Sequence, residues 1–171
     1  MDAVLTSPPY LNAIDYMRGH KMSLVWLGYR PQDLSRTRSM SIGAERRPDQ
    51  PLEAESLIRI KRAMGQLEAL PQRHLGMVER YVVDLHKMIE EITRVLKPKG
   101  TATFVMGNSC LRGVYIENSA GLKCAAEAAG LVTLEQWERE LPAGSRYLPT
   151  PSTGALSKRM RKEVILRVAK R

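Results

Sequence analysis

Asp2-Ala3-Val4-Leu5-Thr6-Ser7-Pro8-Pro9-Tyr10 opens the chain, and its two halves follow different physical rules. Residues 2 to 6 form a short apolar run of the kind a buried strand carries. Pro8 and Pro9 then end it, because each lacks a backbone N–H and holds φ at about −65°. The stretch predicts a core strand running straight into a stiffened loop. The strand comes directly after Met1, and core parallel strands rarely open a domain, so we expect the start to be a cut through a larger fold.

Working outward, Ile14, Met17, Met22, Val25, Trp26 and Leu27 in residues 11–29 predict one or two short helices packed back on the core. Residues 30–55 are polar, rich in Arg and Ser, and broken by Pro31, Pro48 and Pro51. They predict a long exposed loop or lid, a length usually reserved for function or disorder. A weaker helical segment follows near residues 53–69. Val78, Tyr81, Val82, Leu85, Met88, Ile89, Ile92, Val95 and Leu96 then recur at spacings of three and four, making one apolar helical stripe. Lys97-Pro98-Lys99-Gly100 ends that helix. Thr101 to Met106 reads as a strand leading into Gly107-Asn108-Ser109. A loop, a helix over 118–129 closed by Gly130, a strand over 131–137, a Pro/Gly-rich loop over 142–156 and a strand over 164–169 complete the chain. Alternating strands and helices imply an α/β fold with a parallel sheet. The last two strands, joined without a helix, imply an antiparallel partner at its edge.

Composition narrows the class. The 171 residues suit one domain or a large part of one, and 43% apolar content can fill a core. Cys110 and Cys124 lack zinc-like spacing, so reduced thiols in a cytoplasmic protein are expected. No apolar run approaches the roughly 20 residues that span a bilayer, and no signal peptide is expected. None of His20, His74 and His86 has a metal-ligand pattern. His86 falls on the long helix, and an Asp15–His20 proton relay is dispensable because a released proton can leave to water. The net charge is +9, and residues 139–171 hold nine Lys/Arg against Glu140 and Glu163. Such a segment suits a polyanion, nucleic acid above all; a solvated, solubilising tail fits it equally.

Thr6-Ser7-Pro8-Pro9-Tyr10 carries the chemistry. Alone, Ser-Pro-Pro-Tyr is usually an exposed turn, but here it stands at the carboxyl end of a strand, where open α/β sheets bind ligands. It resembles the target-base loop of S-adenosylmethionine-dependent DNA amino-methyltransferases, an Asp, Asn or Ser followed by Pro-Pro and an aromatic residue. Asn12, Asp15, Tyr16, Arg18, His20 and Lys21 with Trp26-Leu27-Gly28 resemble the segment after that loop in one group of these enzymes. The helix ending Leu96-Lys97-Pro98-Lys99-Gly100 and the strand ending Met106-Gly107-Asn108-Ser109 resemble its next elements, although many α/β proteins share such a unit.

The resemblance implies a partial Rossmann-like class I methyltransferase sheet, strands four to seven, forming a single partial domain over 1–171. Residues 30–76 would be a lid or target-recognition insertion. It makes Ser7, Pro8, Pro9 and Tyr10 the catalytic loop and places Thr6, Ser7 and Pro8 against S-adenosylmethionine. An exocyclic amino group is a poor nucleophile, its lone pair being conjugated into the ring. Acceptors at Ser7 and the Pro8 carbonyl would bind its two N–H groups, and Tyr10 would stack on the flipped base. In this family serine leans toward cytosine N4 and aspartate toward adenine N6, so N4-methylcytosine is the expected product. Arg146, with Tyr147-Leu148-Pro149, and Lys158, Arg159, Arg161 and Lys162 would contact DNA phosphates; a solvated hairpin loop is the plainer reading.

One part of the family's pattern is missing. Its Phe-x-Gly-x-Gly cofactor loop has no counterpart, because none of the 12 glycines stands two positions from another. We therefore expect a missing N-terminal half or second subunit to carry that loop, with this chain inactive alone. The rival expectations are a truncated remnant that binds nucleic acid weakly or dimerises, and an enzyme acting on RNA or protein glutamine. Ser7 in place of Asn argues against glutamine.

Overall fold

The computed structural model describes residues 1–11, 19–39, 42, 52–142 and 162–171. In chain order the elements are β1 (Ala3–Thr6), α1 (Lys21–Trp26), α2 (Pro31–Ser39), α3 (Ala54–Ala63), a 3-10 turn (Leu67–Ala69) and α4 (Gln72–Val95). β2 (Thr101–Gly107), β3 (Ser109–Leu111), β4 (Val114–Ile116), α5 (Asn118–Ala128), β5 (Leu131–Glu140) and β6 (Lys162–Lys170) follow.

Four strands form one mixed sheet in the order β1-β2-β6-β5. β1 pairs parallel with β2, while β6 pairs antiparallel with both β2 and β5. This is the expected α/β sheet with an antiparallel pair at its edge, but the last strand is not outermost. Sequence explains the order. β6 buries Val164, Ile165, Leu166 and Val168, as an interior strand must, whereas β5 is exposed from Leu134 to Glu140 and suits an edge.

α4 covers one face of this sheet. Its predicted stripe buries Val78, Tyr81, Val82, Leu85 and Ile89 in one cluster with Ala102, Phe104 and Met106 of β2 and Leu166 and Val168 of β6. Each large side chain so buried contributes about 1.5–3 kcal/mol relative to exposure. At the carboxyl end of α4, Lys170 Nζ donates to the Thr93 and Leu96 carbonyls at 2.7 and 3.0 Å, satisfying acceptors the helix leaves open. α3 packs on α5, where Gly121 lies so close to Met64 that a β-carbon would stand 2.6 Å from the methionine Cγ.

Four local expectations need correction. The apolar residues of α1 do not pack on the core: none of its residues is buried. Residues 30–55 are not uniformly loop, since Pro31–Ser39 is helical. Pro31 opens that helix, where a missing N–H costs nothing. Within the span 30–76, α3 contributes the fully buried Ile60, so this part belongs to the core. Finally, residues 109–116 form a two-stranded antiparallel hairpin instead of a loop.

Candidate functional site

The carboxyl ends of β1 and β2 and the start of β6 lie at one edge of the sheet, because Thr6 is level with Phe104 and Gly107 with Glu163. The Ser7–Leu11 loop leaves β1 at this edge and is held from below by two side chains. Tyr81 of α4 donates its hydroxyl to the Pro9 carbonyl at 3.1 Å, and Ser109 Oγ donates to the Leu11 carbonyl at 2.8 Å. Pro8 is buried while Ser7 and Pro9 are exposed. The loop is thus anchored through its backbone and presents Ser7 outward.

A polar chain runs across it. Tyr10 donates its hydroxyl to Glu163 Oε1 at 3.4 Å, and the Ser7 and Tyr10 hydroxyl oxygens are also 3.4 Å apart. Both contacts are long for O–H···O bonds. A tyrosine proton aimed at the carboxylate would leave Ser7 as the donor to Tyr10, with its own lone pairs available to accept. Arg139 of β5 pairs with Glu163 Oε2, placing a cation behind the carboxylate. Tyr81 is buried, which raises its phenol pKa well above the ordinary tyrosine range, with a smaller contribution from nearby Tyr10. It therefore stays a neutral donor to Pro9.

Beneath the loop lies a second polar group. Asn118, fully buried, donates through Nδ2 to the Gly107 carbonyl at 3.0 Å and to Ser109 Oγ at 2.7 Å. Asn108 Oδ1 accepts from the Ser119 N–H and hydroxyl, each at 3.0 Å, and its Nδ2 donates to the Tyr115 hydroxyl at 3.0 Å. This network ties the end of β2 and the start of α5 to the loop, so the loop's position is set by the core.

Of the sequence-expected site residues, Thr6, Ser7, Pro8, Pro9 and Tyr10 come together here. Lys162 is exposed and ion-paired with Glu138 at 2.8 Å, and that hydrogen bond raises its pKa. Arg146, Lys158, Arg159 and Arg161 lie outside the described residues, as do Asn12, Asp15, Tyr16 and Arg18. Glu163, Arg139, Tyr81 and Asn118 are the site residues that sequence reasoning missed. A carboxylate directly before the apolar run Val164-Ile165-Leu166 was the available signal for Glu163. Among the described residues no cluster of three or more His, Cys, Asp or Glu could hold a metal ion. No helix there is long and apolar enough to cross a membrane.

No protein-family model matches the chain, and no curated protein matches it. Two solved structures do, both of a provisionally assigned DNA modification methylase from Thermus thermophilus. Its selenomethionine derivative is 19% identical over 57% of this chain and 39% of its own, with a TM-score of 0.43. Its complex with S-adenosyl-L-methionine is 18% identical over 59% of this chain and 41% of its own, with a TM-score of 0.46. The chain therefore spans about two fifths of the length of the structures it matches. A likeness this distant carries no functional inference.

Proposed function

We propose that this chain is the target-base half of an S-adenosylmethionine-dependent DNA amino-methyltransferase that modifies cytosine N4. The observation that supports it is the Ser7-Pro8-Pro9-Tyr10 loop, anchored at the carboxyl edge of the sheet with Ser7 outward. Ser7 Oγ, turned into an acceptor by donating to Tyr10, takes one N–H of the amino group, and the Pro8 carbonyl takes the other. The neighbouring Pro9 carbonyl is the one occupied by Tyr81. Holding both N–H groups draws the nitrogen out of conjugation and directs its lone pair. Tyr10 stacks on the flipped base, and Glu163 with Arg139 steadies its phenol. With the cofactor bound, the nitrogen–carbon bond would form as the methyl's bond to the sulfonium sulfur breaks, a neutral thioether would leave, and the surplus proton on nitrogen would pass to water.

The cofactor supplies the methyl group when bound. Thr6, Ser7 and Pro8 offer it one wall, of which Pro8 is buried and Ser7 exposed. With no Gly-x-Gly in the chain, that wall does not complete a site. We assign the remainder to a second polypeptide carrying the glycine loop, and DNA phosphates to Arg146, Lys158, Arg159, Arg161 and Lys162. β1 suits this division: among the described residues it pairs with β2 on one side only, and Leu5 is 77% exposed.

The test is reconstitution with a glycine-loop polypeptide, found upstream or taken from a similar enzyme, followed by mass spectrometry of digested duplex DNA. N4-methylcytosine is expected. N6-methyladenine would overturn the base assignment, and no methylated base would overturn the proposal.

A further inference from the structure

α1 carries its own cap and touches α2, yet none of its residues is buried. Tyr29 N–H donates to the Leu24 carbonyl at 3.0 Å and Gly28 N–H to the Val25 carbonyl at 2.9 Å. Gly28 sits at φ +89°. These two bonds and the left-handed glycine make a Schellman cap, which closes the six-residue helix and sets the direction of Tyr29. Helices this short are unstable in water without a packing partner. Yet Met22, Trp26 and Leu27 are 69%, 88% and 75% exposed, and Val25 and Tyr29 are exposed with them. Met22 and Val25 or Trp26, three and four residues apart, share one helix face.

The charges around this tip indicate what covers it. From Gly19 to Gln32 there is no carboxylate, while Lys21 and Arg30 stand at either end of the apolar turn. Both are exposed. Two aromatics framed by cations, on a chain of net charge +9, suit bases and phosphates together. A greasy protein partner would need no such frame.

We propose that the Lys21–Arg30 turn is a nucleic-acid contact in which Trp26 and Tyr29 stack on unpaired bases while Lys21 and Arg30 neutralise phosphates. It rests on the reading that DNA is the substrate, and it supplies a place for bases exposed when one is flipped out. The sequence has two tryptophans, Trp26 and Trp137, so Trp137→Phe makes Trp26 the sole reporter in the full-length chain. Titration with a short single-stranded oligonucleotide should quench its fluorescence saturably. Trp26→Ala and Tyr29→Ala should each weaken binding roughly tenfold without changing the melting temperature, since neither side chain is buried. Lys21→Ala and Arg30→Ala should each flatten the log–log salt dependence by about 0.7.

Trp26 fluorescence unmoved at saturating oligonucleotide, or unchanged affinity in Trp26→Ala, would overturn the proposal. So would a spectral shift that follows protein concentration without DNA, which would assign the tip to a second copy of the chain. Because the readout is binding, a failed methylation assay with Trp26 quenched would sink the enzymatic reading alone. The opposite pair of results would sink this contact alone.

Discussion

Ser7, Tyr10, Glu163 and Arg139 come from three separate stretches of chain, and each adjusts the next. On the proposed reading, Ser7→Ala in the reconstituted pair would remove the acceptor assigned to the reacting amino group. Turnover should fall by about 10² to 10³, with cofactor affinity nearly intact. Full activity in single-turnover kinetics would remove Ser7 from the chemistry. Tyr10→Phe keeps the stacking ring but cuts the link from Ser7 to Glu163, so a smaller loss is expected. Tyr81 makes a separate prediction about stability. Its buried phenol keeps its proton in the folded state above the ordinary value of about 10, whereas the unfolded chain releases it there. Above that pH the unfolded state binds fewer protons, so folding stability falls as pH rises; below it this contribution is fully present. Tyr81→Phe should cost about 0.5–1.5 kcal/mol near neutrality through the lost bond to Pro9. Urea melts of that variant above about pH 10 should show less alkaline loss than the parent. At this scale the sequence exposed Ser7 to Tyr10 plainly, because two prolines after an apolar run have few other uses. Glu163 was hidden, since it is brought to Tyr10 by pairing across 153 residues.

Among the elements, the long helix was the most legible. Its stripe places Val78, Tyr81, Val82, Leu85 and Ile89 at helical spacing, and all five are buried. The hairpin of β3 and β4 was not legible, because three-residue strands are too short to show an alternation. The contact of α3 with α5 carries a test. Gly121→Ala should gain about 1 kcal/mol in helix propensity, but its β-carbon would strike the Cγ of the fully buried Met64. Overpacking of that kind costs about 1–3 kcal/mol, so a net loss in chemical denaturation is expected. In a Met64→Ala background the same change should become neutral or stabilising. If it destabilises equally there, steric conflict with Met64 is not the cause.

For the whole molecule, the proposed division makes the side of β1 that pairs with no described strand the test. Leu5→Lys should leave the isolated chain's stability within about 0.5 kcal/mol, as exposed substitutions do. In the reconstituted pair it should block assembly, measured by co-elution. Assembly at wild-type strength would place the partner elsewhere. The chain alone should bind S-adenosylmethionine weakly, giving little heat in calorimetry at micromolar cofactor; tight binding would mean that it holds a complete site. The sequence by itself determined the α/β class, the strand-then-proline loop, the main helix and the absence of a glycine pair, because periodicity, proline chemistry and glycine spacing are all local. Only the tertiary structure decided that the last strand enters the sheet between β2 and β5, that Glu163 reaches Tyr10 and Arg139 reaches Glu163, and that α1 buries none of its residues. Strand order and burial depend on which distant surfaces meet, and local pattern carries no record of that choice.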